Sequence, residues 1–94
     1  MSAVFYAPRA LADLERLADF LLSQDAAAAK DTGPLITGAI AHLADHPLTG
    51  RIVEHGLREL VISRGRTGYV ALYRFDAARD VAVVLGIRHQ RELG

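Results

Sequence analysis

Seven side chains in the second half of this chain are of types that bind or process anions: Arg58, Arg64, Arg66, Arg74, Arg88, His89 and Arg91. A guanidinium makes planar, two-pronged contacts with carboxylate or phosphate, and an imidazole exchanges protons near neutral pH. Such a cluster can clamp a phosphodiester, stabilise the charge that develops on it and move a proton, as RNA cleavage without a metal requires. It can equally dock on an acidic protein surface. Residue types alone leave both open.

The distribution of charge sharpens the picture. Net charge is zero, which argues against a chain that binds DNA by itself. Residues 1–50 carry three basic side chains against six acidic ones, whereas residues 51–94 carry eight Arg against five acidic residues. Ten of the eleven cations are Arg, which favours paired contacts over diffuse attraction.

Other chemistries find less support. His42 and His46 stand four apart, but only Asp45 lies nearby as a third ligand and there is no Cys, so no metal site is expected. Gly65-Arg66-Thr67-Gly68 has the outline of a nucleic-acid loop, yet it joins strands rather than helices and reads as a hairpin tip. No Gly-Lys-Ser/Thr phosphate loop occurs. Ser23 and Ser63 lack a convincing His and acid, so nucleophilic catalysis is not expected, and neither is a cofactor.

The elements that must position these residues follow from periodicity. The 94 residues, 51% hydrophobic, suit one domain spanning 1–94. Ala3 to Tyr6 reads as a strand, and Pro8 suits a first helical turn. Leu11, Leu14, Leu17, Ala18, Leu21 and Leu22 form an apolar helical stripe, with Asp13, Glu15, Arg16 and Asp19 expected to face water. Asp25 is a plausible cap for a second helix bearing Leu35, Ile36, Ala39, Ile40 and Leu43. Gly33-Pro34 predicts a kink or a restart there, and Asp45-His46-Pro47 with Gly50 should end it. Residues 57–63, 68–75 and 80–88 then read as three strands joined by short loops. The last, rich in Val, is expected to be an inner strand with Val83 and Leu85 in the core. The architecture is α+β: two layers, β-α-α-β-β-β, with the helix pair on one face of a mainly antiparallel sheet. No signal peptide or membrane helix is expected, so a cytoplasmic location fits.

The stretch GLRELVISRGRTGYVALYRFD, followed by VLGIRHQREL, closely resembles the ParE-like branch of the RelE/ParE superfamily, the toxins of bacterial toxin–antitoxin pairs. LADHPLTGR is similar to that family's Leu…Pro…Gly-Arg segment, and ADLERLADFL to its first helix. The resemblance implies a growth-inhibiting toxin of a plasmid-stabilisation module, silenced by a ribbon-helix-helix antitoxin. ParE-like members imply inhibition of DNA gyrase without bond cleavage. RelE-like members imply ribosome-dependent mRNA cleavage, the alternative here. Where a RelE-type strand reads Gly-Tyr-Arg, this chain has Gly68-Tyr69-Val70, and basic positions of the preceding strand fall at Glu59 and Val61. Arg88 alone matches a catalytic-type Arg, with His89 as a substitute base. The ParE-like reading is therefore preferred.

Overall fold

The computed structural model describes residues 1–63 and 68–89. In chain order the elements are β1 (Ala3–Tyr6), α1 (Pro8–Gln24), α2 (Ala26–Ala41), a 3-10 turn (His42–Ala44), β2 (Arg51–Glu54), β3 (Leu57–Ser63), β4 (Tyr69–Asp76) and β5 (Val81–His89). The five strands lie in the order β1-β5-β4-β3-β2. β1 runs parallel to β5 and the other neighbours pair antiparallel. Both helices pack on one face, as the periodicity predicts.

Pro8 opens α1, where a missing N–H costs nothing. Asp25 starts α2 as expected, its Oδ1 accepting the Ala27 N–H at 3.1 Å. Between helices and sheet lies the core: Ala10 and Leu17 of α1, Ile36 and Ile40 of α2, Leu43, and Tyr69, Ala71, Tyr73, Ala82, Val84 and Ile87 of the two central strands. None of these is more than 3% exposed.

Four expectations need correction. The sheet has a fifth strand, β2, which at four exposed residues is too short to display alternation. α2 does not restart at Gly33-Pro34 but continues through it. Pro34 is exposed, so the helix bond it forfeits faces water, and the Thr37 hydroxyl donates to the Gly33 carbonyl at 3.0 Å. The buried stripe of α1 runs through Ala10, Leu14, Leu17 and Leu21, leaving Leu11, Ala18 and Leu22 exposed and turning Asp13 inward. On β5 the core positions are Ala82, Val84 and Ile87, while Val83 and Leu85 are only half-buried, because they face away from the helices.

Candidate binding face

The helices cover one side of the sheet and leave most of the other open, although Val70 on that other side is only 6% exposed. Residues directly opposite in antiparallel strands share a face, so the open side can be assembled from the strand register. One cross-strand row is Val61, Val70 and Arg88. The next is Glu59 and Leu72, whose partner Gly86 sits at a break in the pairing and turns the place of its missing Cβ toward α1, and the third is Leu57, Arg74 and Val83. Phe5 of β1 extends the third row beside Val83 and is 58% exposed. The floor is thus largely apolar. Arg74 and Arg88 stand on it, four residues apart in register, about 13 Å at strand spacing.

Around Arg74 the floor deepens into an open groove of about 580 Å³, lined by Gly56, Arg74, Phe75, Asp76, Ala77, Val83 and Leu85. Nη1 of Arg74 donates to the His55 carbonyl at 2.8 Å. That carbonyl is held in place by a tight turn, with His55 at φ 42° and Gly56 at φ 79°. Gly56 takes up the left-handed backbone without strain. Arg88 differs: it is half-buried, and its guanidinium makes no hydrogen bond or ion pair among the described residues. A guanidinium with no partner among the described residues has its donors available for a carboxylate or another anion.

The other expected contacts separate. Arg58 lies opposite Tyr73, on the helix side, where Nη1 donates to the Gly50 carbonyl at 2.7 Å and the Leu48 carbonyl at 3.2 Å. Its work is to fix the segment before β2. His89 follows Arg88 on the same strand and so points to the opposite side, edge-on to the Tyr69 ring with centroids 5.0 Å apart. Arg88 and His89 therefore do not share a face. Arg64, Arg66 and Arg91 lie outside the described residues.

His42 and His46 do come together, their rings 4.5 Å apart beside a shallow hollow lined by Pro47, Leu48 and Thr49. Among the described residues no third His, Asp or Glu joins them into a metal-binding group. Burial raises the Tyr6 hydroxyl above its ordinary pKa, but Tyr6 packs toward the core rather than the open face. No helix among the described residues is long and apolar enough to cross a membrane.

Two features escaped the sequence reading. Arg51 and Glu59 pair at 3.0 Å on the open face, which ties β2 to β3. Asp13 reaches the backbone of β5, where its Oδ2 accepts the Ile87 N–H at 2.9 Å. Gly86 was the available signal, since a glycine inside an apolar strand marks a bulge or a close approach.

Comparison with known proteins agrees with this fold. The family model described as "ParE toxin of type II toxin-antitoxin system, parDE" matches residues 4–94. Toxin RelE3 of Caulobacter vibrioides is 38% identical over 92 residues, covering 98% of each chain. Among solved structures, the chromosomal ParDE toxin–antitoxin system of P. aeruginosa matches with a TM-score of 0.77 at 22% identity, covering 95% of this chain and 96% of that one. The RelBE2 toxin–antitoxin complex of Mycobacterium tuberculosis matches with a TM-score of 0.62 at 22% identity, covering 95% and 98%. At that identity the two structures speak for the fold alone.

Proposed function

Because the chain belongs to the ParE toxin family of type II toxin–antitoxin systems, we propose that it inhibits growth by holding a protein target, DNA gyrase, rather than by cutting RNA. It is a cytoplasmic protein in this reading, and a cognate ribbon-helix-helix antitoxin silences it by covering the open face. The carrying observation is the row Val61–Val70–Arg88. A phosphodiester clamp needs several cations and a proton carrier converging on one point. Here two of the three positions are aliphatic, and His89 lies on the far side of the strand. The same face suits a protein partner, because apolar area surrounds an Arg anchor.

A ribosome-dependent nuclease is the second reading, favoured by the 38% identity to a relative named as a RelE toxin and by an Arg88 guanidinium without a partner among the described residues. Expression without antitoxin, followed by parallel assays of gyrase supercoiling and of mRNA cleavage in programmed ribosomes, separates the two. Supercoiling should fail while mRNA stays intact. Cleavage that His89→Ala abolishes would reverse the ranking.

A further inference from the structure

Along β5, Ala82 and Val84 face the helices and are fully buried, and Ile87 joins them three residues later. A regular strand changes face at every residue, so Ala82, Val84, Gly86 and Arg88 would all point into the core. Arg88 escapes because the pairing with β4 skips Leu85: Tyr73 lies opposite Val84, and Leu72 opposite Gly86. Leu85 is the extra residue of a β-bulge, which re-aims the side chains after it.

At this point β5 has also lost its other neighbour, since pairing with β1 ends at Tyr6 and Val84. The Ile87 N–H then donates to Oδ2 of Asp13 on α1. The Asp13 side chain is 13% exposed, and Nη2 of Arg16 holds its Oδ1 at 3.5 Å. Gly86 makes room for this approach, because a Cβ there would lie 3.2 Å from the same Oδ2. A half-buried carboxylate accepting a backbone N–H is a stronger anchor than a neutral acceptor.

We propose that Asp13 is the positioning residue for Arg88: its carboxylate locks the bulge that delivers Arg88 to the open face. The biological weight of this rests on Arg88 being a target contact, whereas the placement of Arg88 can be measured independently.

The test compares the full chain carrying Asp13→Ala, Asp13→Asn, and Asp13→Ala combined with deletion of Leu85. The deletion restores regular alternation with Gly86 still opposite Leu72 and Arg88 opposite Val70, so Arg88 needs no bulge anchor. In Asp13→Ala the Ile87 amide should exchange about 10- to 100-fold faster, the range expected for losing a charge-assisted bond. Its Arg88–Val70 NMR contacts should weaken, and growth inhibition should fall to that of Arg88→Ala. Asp13→Asn keeps an acceptor oxygen and should fall between. Deleting Leu85 should restore the contacts and the inhibition although Asp13 is gone. Unchanged exchange and contacts in Asp13→Ala would overturn the proposal. So would a chain that no longer folds with alanine, with or without Leu85, because Asp13 would then be a structural support only. Full inhibition by Arg88→Ala would sink the contact reading instead, leaving exchange and contacts to judge Asp13.

Discussion

The Tyr73 hydroxyl accepts the Gly50 N–H at 2.9 Å and donates to the Pro47 carbonyl at 2.8 Å. One buried side chain of the central strand thereby fixes both ends of the segment leading into β2. Gly50 is held so close that a Cβ would meet Tyr73 Cε1 at 2.6 Å. Tyr73→Phe leaves a buried N–H unpaired and should cost about 1–3 kcal/mol. Gly50→Ala overpacks the same spot and should also cost about 1–3 kcal/mol. Chemical denaturation of both variants and their double mutant checks this. Fully additive losses would mean that the two residues do not act together.

Burial on β5 separates two neighbouring substitutions. Ile87→Ala removes a fully buried side chain and should cost about 2–5 kcal/mol through transfer and cavity effects. Val83→Ala, half-exposed on the open face, should cost about 1 kcal/mol or less. Thermal unfolding of the two decides it, and equal losses would place Val83 in a core that the register denies it.

Arg88→Ala should leave the melting temperature almost unchanged, because exposed or part-exposed charges contribute roughly 0–1 kcal/mol. The same variant should lose growth inhibition. Arg88 would be no more than a solubilising strand end if the variant inhibits as strongly as the parent.

Charge reversal on the open face tests the antitoxin. Arg88→Glu should weaken copurification with the antitoxin by about tenfold or more, as like charges meet across the interface. Arg74→Glu should do the same, with some loss of stability because Arg74 also braces the His55 carbonyl. Undiminished binding by both would move the antitoxin off this face.

Long, strongly patterned segments made most of the fold legible. β1 and the start of α1 stand where Pro8 and the alternation of Ala3 to Tyr6 place them, and the three later strands agree to within a residue. β2 stayed hidden because four residues carry too little pattern and its stability comes from Arg51–Glu59 and pairing with β3. The direction of Asp13 was illegible for another reason. A carboxylate one step from an apolar stripe reads as solvated, and only the end of β1 creates the unpaired N–H that draws it inward. The site residues were recognisable by type but not by face. A bulge at Leu85 inverts the alternation, so which of Arg88 and His89 reaches the open face was fixed by tertiary contacts.

The parallel pairing of β1 with β5 has a consequence for synthesis. Ala3 finds Val81 across nearly the whole chain, and β5, made after the other described strands, occupies a place inside the sheet. Such distant pairings form late, since most of the chain must be closed into a loop first. A nascent chain that has not yet emitted Val81 to His89 has β1 without its neighbour, β4 with one open edge, and no Arg88. The pairing that completes the sheet and the strand that carries Arg88 therefore arrive in the same step, so a chain interrupted before Val81 lacks both.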